Sequence, residues 1–197
     1  VFLEVGAMSY QERNYEVTFL TPAFLGDAEQ SGRWRTPPFK AQLRQWWRVA
    51  YAAAHKFNVD VGEMRRVEGL LFGNAWLENA FCKSQVRLRL DRWDEGKLKD
   101  WQGLEQKTVF HPEVHRTHFH VGPHAYLGYG PLDGRGGTKL EEKRNAAIQA
   151  NEAAGFSLAF PEEDKPLIEH ALWLMHRYGT AGGRSRNRWG SYEITPQ

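Results

Sequence analysis

Cysteine is almost missing from this chain: Cys82 is the single one in 197 residues. A lone thiol excludes an intramolecular disulfide framework and agrees with a reducing cytoplasm as the expected location. Long apolar runs are missing too. None approaches the roughly 20 residues a bilayer-spanning helix needs, and mean hydropathy is −0.63, so no membrane partner is expected. No secretory leader is visible, and residues 1–9 read as a cloning remnant ahead of the fold. There is no Gly-x-Ser-x-Gly nucleophile turn, no Gly-Lys-Ser or Gly-Lys-Thr phosphate loop leading into a helix, and no internal repeat.

A large net charge is also lacking, at +2, but the charge is unevenly placed. Between Glu29 and Asp60 there are six Lys/Arg and no acid, and from Glu169 to Glu193 the charges are Arg177, Arg184, Arg186 and Arg188. Two basic segments on a near-neutral chain imply a localised anionic partner. The second contains Gly182, Gly183, Arg184, Arg186, Arg188, Trp189 and Gly190. Glycines permit close backbone approach, arginines meet phosphate oxygens, and Trp189 offers a face for a base. In the first segment Lys40, Arg44 and Arg48 recur every four residues and line one helix face as a cationic ridge. Trp46 and Trp47 cannot point the same way, so one is core and the other, taken as Trp47, is a candidate for stacking.

Periodicity supplies the elements. Tyr15, Val17 and Phe19 alternate with polar residues as a half-buried strand, and Thr36 followed by Pro37 opens a long helix with Thr36 as its cap. A shorter helix over 63–71 ends at Gly73, and Val86, Leu88 and Leu90 form a strand whose other face carries Arg87 and Arg89. Phe156, Leu158 and Phe160 form the next strand. Glu162, Glu163 and Asp164 favour the start of a helix carrying Ile168, Ala171, Leu172 and Met175, which stops at Gly179. Tyr192 to Ile194 close the pattern. The length suits one domain over 10–197, interrupted by an insertion over about 92–153, in which the polar run 139–151 reads as helical or mobile. The order β-α-β-β-α-β is the α+β, ferredoxin-like arrangement also used by RRM-type RNA-binding modules.

Three motifs carry a resemblance. Leu20-Thr-Pro-Ala-Phe-Leu-Gly26 with Arg35-Thr-Pro-Pro-Phe-Lys-Ala-Gln-Leu-Arg-Gln-Trp-Trp-Arg48, then Leu71-Phe-Gly73, then the loop Gly182–Gly190 resemble the RAMP proteins of CRISPR effector complexes, most closely the first subunit of the type III-B, or Cmr, complex. Tyr126-Leu-Gly-Tyr-Gly-Pro131 is similar to a further family segment. The resemblance implies an RNA-binding, non-catalytic subunit without cofactor or metal, capping repeated backbone subunits. Its expected partners are CRISPR RNA, target RNA and neighbouring RAMP subunits. Arg35, Lys40, Arg44, Trp47, Arg48 and the residues of the glycine-rich loop are the expected contacts. Family members usually carry a second RAMP domain after this loop, whereas this chain ends at Gln197.

Two other chemistries stay open. A RAMP endoribonuclease would use a positioned histidine, with His55 or the group His111, His115, His118, His120 and His124 as candidates, but no spacing selects one. A metal-dependent phosphoesterase would build on His118 and His120. No cysteine or spaced carboxylate completes that pair.

Overall fold

A computed structural model describes residues 9–75, 81–101, 109–110, 120–134, 137–141 and 146–197. Its centre is a four-stranded antiparallel sheet made of β1 (Tyr10–Phe19), β2 (Arg87–Leu90), β7 (Ala153–Pro161) and β8 (Tyr192–Pro196), in the spatial order β2-β7-β1-β8. Between β1 and β2 run helices α1 (Thr36–Ala54) and α2 (Val61–Phe72), and between β7 and β8 runs α4 (Lys165–Tyr178). Two helical crossovers placing β1 between β7 and β8 give the ferredoxin-like arrangement expected from the strand and helix periods.

Alternation decides which face of the sheet is covered. Tyr15, Val17 and Phe19 of β1 stand beside Phe156 and Ala154 of β7 and Tyr192 and Ile194 of β8, and this face packs under α1 and α4. Helix α1 contributes Phe39, Leu43, Trp47 and Ala50, a stripe of helical period, and α4 contributes Ile168, Ala171, Leu172 and Met175. Arg35, not Thr36, is the residue before the first turn of α1. It makes no side-chain cap, so Pro37 near the start, with its preset φ, supplies the local bias. Helix α2 is capped: the Asp60 carboxylate accepts from the amides of Gly62 and Glu63 at 2.8 and 3.1 Å. The acids Glu162 to Asp164 form a 3-10 turn ahead of α4 rather than its first turn.

The segment between β2 and β7 adds α3 (Pro123–Leu127) and the two-residue strand pairs β3 (Val109–Phe110) with β4 (His120–Val121), and β5 (Leu132–Asp133) with β6 (Lys139–Leu140). Within the run 139–151, none of the described residues is helical: Lys139–Leu140 is a strand, Ala147 and Ile148 form bridges, and Ala150 and Asn151 turn into β7. Ala147 bridges Leu98 and Ile148 bridges Ala23, both fully buried, because Ala146-Ala147-Ile148 is an apolar triple that the surrounding polar residues obscure. A second apolar cluster results, of Phe24, Leu98, Trp101, Leu132, Ala147 and Trp189. It joins this segment to the stretch after β1 and to the loop before β8.

Glu152 ties these parts together. This buried carboxylate accepts from the amides of Lys97 at 2.7 Å and Gln149 at 2.6 Å and from the Trp34 indole at 3.4 Å, with the Arg92 guanidinium 3.7 Å away. Little in its sequence neighbourhood marks it, since apart from Gln149 its partners come from two distant segments, at Trp34 and at 92–97.

Candidate nucleic-acid interface

The loop between α4 and β8 is built, not loose. It opens at Gly182 and closes at Gly190, with a 3-10 turn at Ser185–Asn187 between them. Gly182 has φ +100 and Gly190 φ +69. A Cβ on Gly190 would collide with the Ala181 carbonyl oxygen, and one on Gly182 would lie 2.7 Å from that of Phe24. Only glycine fits either place. Gly183 is different, since a Cβ there would meet Pro131 at an ordinary 3.4 Å.

The backbone is fastened to the stretch after β1. Gly183 donates to the Phe24 carbonyl at 3.0 Å, Gly190 to that of Pro22 at 2.8 Å, and the Thr21 hydroxyl donates to the Arg188 carbonyl at 2.9 Å. On the other side the Asn187 amide donates to the Leu127 carbonyl at 2.7 Å. Three segments that sequence comparison picks out separately, 20–26, 126–131 and 182–190, thus form one surface.

Arg184, Arg186 and Arg188 point outward from it, all exposed. Among the described residues none has a carboxylate within ion-pair distance. Arg184 and Arg188 also hold left-handed backbone, with φ +58 and +65, a conformation that costs a non-glycine residue about 1–2 kcal/mol. The fastening just described holds it in place. Uncompensated, mutually repelling cations on a fixed loop are arranged for an anion.

Trp189 does not serve as a stacking face. Its ring is buried in the second cluster, 5.3 Å from Phe24, 5.5 Å from Trp101 and 5.8 Å from His124, and acts as the anchor of the loop. Trp47 is corrected likewise. It is fully buried against Tyr51 and Phe72, while half-buried Trp46 packs on Tyr178.

The ridge on α1 is present but partly neutralised. Arg44 and Arg48 both bind the buried Glu68 carboxylate of α2, Arg48 through two hydrogen bonds of 2.8 and 2.7 Å. Burial alone would raise the Glu68 carboxyl; the hydrogen bonds from Arg48 and Arg44 outweigh it and hold the group below the ordinary glutamate value. The absence of acids within α1 was therefore misleading, because the counter-charge comes from a neighbouring helix. Lys40 stays apart from this triad, in a cleft of about 670 Å³ between α1 and β2 that Arg44 and Arg87 also line. Burial, then the Arg44 charge, lowers the Lys40 pKa. Arg35 donates to the Gly26 carbonyl at 2.6 Å and closes the turn after β1.

Sheet order separates the two sets: the cleft lies at the β2 edge, while the arginine loop feeds β8 at the opposite edge. The open sheet face between them carries Arg87 and Arg89, the small residues Gly155, Ser157 and Ala159, and the acids Glu12 and Glu16. Among the described residues its one ring is Tyr10, which lies under the Arg87 guanidinium at 5.3 Å. Stacking of bases across the sheet, the RRM mode, has no platform here. As for the histidines, His111, His115 and His118 lie outside the described residues. No group of three metal-ligating side chains occurs among the described ones. His55 stacks on Tyr51 and its Nδ1 donates to the Tyr51 carbonyl at 2.8 Å. No helix among the described residues is long and apolar enough to cross a membrane.

Comparison with protein families matches residues 16–193 to the family described as the RAMP superfamily. Among solved structures, the apo form of Cmr1 from Pyrococcus furiosus matches with a TM-score of 0.52 and 17% identity, over 93% of this chain and 49% of that one. This chain thus spans about half the length of that structure. A chain of a type IV-B CRISPR complex matches with a TM-score of 0.51 and 10% identity, over 95% of this chain and 90% of that one. No curated protein sequence matches significantly.

Proposed function

Because the chain belongs to the RAMP superfamily, we propose that it is an RNA-binding structural subunit of a type III CRISPR effector, holding CRISPR RNA or its duplex with target RNA beside neighbouring RAMP subunits. One observation carries the reading: three exposed arginines without carboxylate partners among the described residues, on a loop whose conformation is fixed by its glycines and by the stretch after β1. Arginines on phosphates neutralise charge without reading bases, so binding is salt-dependent and tolerant of sequence. The lysine cleft at the other edge offers a second, weaker phosphate site. Both matched titles name CRISPR proteins, which supports an effector role; the type III part of the proposal rests on the motifs that resemble the first Cmr subunit.

The test is the variant R184A/R186A/R188A, titrated with single-stranded RNA at several salt concentrations. Its affinity is expected to drop, and the slope of log K against log salt to flatten by about 0.7 for each phosphate that is no longer neutralised. Its melting temperature is expected to stay within about a degree or two, since exposed side chains contribute little to packing. Wild-type affinity that ignores salt would overturn the proposal. Unfolding of the variant would make the loop structural instead.

A further inference from the structure

With Trp189 buried and Tyr10, under Arg87, the one ring on the open sheet face among the described residues, the aromatic surface expected of the interface must come from elsewhere; the turn after α3 supplies one. Tyr129 is 65% exposed, and Tyr126 and Leu127 beside it are 49% and 43% exposed. An exposed tyrosine is ordinary on a mobile tip, but this turn is fixed. Gly128 donates to the His124 carbonyl at 2.7 Å, Leu132 to that of Gly128 at 2.9 Å, and Gly130 to that of Leu132 at 3.2 Å. The turn also abuts the arginine loop. The Arg184 guanidinium lies 3.5 Å from where a Cβ of Gly130 would stand, and Pro131 lies 3.4 Å from the corresponding point on Gly183. Successive Cα atoms are 3.8 Å apart, so the backbone that carries the exposed Tyr129 adjoins the Arg184 guanidinium, which has no carboxylate partner among the described residues.

We propose that Tyr129 is the base-stacking residue of this interface: an unpaired base lies on its ring while Arg184 holds an adjoining phosphate. The proposal rests on the RNA-binding reading above and adds a substrate class to it. Stacking needs a base free of its partner, so at this turn the protein selects single-stranded over duplex RNA. It does so without sequence preference, since every base has a face to offer.

The experiment measures binding of fluorescein-labelled oligoadenylate, the same strand paired with oligouridylate, and an abasic ribose-phosphate oligomer of equal charge. Tyr129→Ala is expected to weaken oligoadenylate about tenfold, leaving the abasic strand and the salt slope unchanged. Tyr129→Phe retains wild-type affinity, Tyr129→Leu does not, and Arg184→Ala flattens the slope. Undiminished oligoadenylate binding in Tyr129→Ala overturns the stacking role. Equal losses on oligoadenylate and the abasic strand do so too, because the ring would then merely prop the loop. Wild-type protein that binds none of the three strands removes the RNA-binding reading itself, a result separable from either of those.

Discussion

Gly190 is the residue on which the arginine loop turns back into the sheet. Its substitution by alanine meets two penalties, a left-handed backbone and a Cβ pressed into the Ala181 carbonyl. Gly190→Ala is therefore expected to lose at least about 2 kcal/mol of stability. Gly137→Ala, at φ +109 with nothing within 4 Å, bears only the backbone part and loses less. Denaturant melts of the two variants compare strain with and without collision; equal losses would mean that the collision relaxes. At this scale the candidate site was half legible in the sequence. Arginines alternating between glycines are visible in a string because both the charge and the conformational freedom are properties of single residues. The burial of Trp189 is not, since it depends on Phe24 and Trp101 arriving from elsewhere. Tyr129 did have a signal, an aromatic between two glycines within a family-like segment, but nothing tied it to the loop 50-odd residues on.

Between elements, the triad of Arg44, Arg48 and Glu68 is what sets how basic α1 is. Replacing Glu68 by Gln leaves two guanidiniums without their anion. A cost of about 1–2 kcal/mol at neutral pH is expected, discounted because Arg48 is half exposed. The folded Glu68 pKa is depressed, so its stabilisation is present above the unfolded-chain value of about 4.3 and is lost as pH falls through the lower folded value. Wild type and Glu68→Gln should consequently differ at pH 7 and converge in urea titrations once the pH has fallen below the depressed folded value; a gap that persists there would assign the effect to packing. The same variant reports on the α1 ridge: tighter RNA binding places it in the interface, and unchanged affinity retires it. The elements themselves were legible, because periods of 2 and 3.6 survive as long as one face is buried. The segment between β2 and β7 was not. Its described strands are two residues long and too short to show any period.

Across the whole molecule, the second apolar cluster makes the loop and the segment between β2 and β7 one mechanical unit. Trp101→Ala, remote in sequence from the loop, should cost about 3 kcal/mol and should also weaken RNA binding at temperatures where the variant is folded, because Trp189 loses its seat. Intact affinity in a folded Trp101→Ala protein would show that the loop supports itself. The pairing of β1 has another consequence, in time rather than in space. It is the first of the sheet's strands to leave the ribosome, yet its two neighbours are β7 and β8, so Tyr15 waits for Phe156 and Phe19 for Tyr192. Neither helical crossover can be closed over a finished sheet until β7 and β8 are available. Pairings at such sequence separation slow folding, and the nascent strand keeps its apolar face and both hydrogen-bonding edges unpaired until β7 and β8 emerge, a window in which chaperones can act.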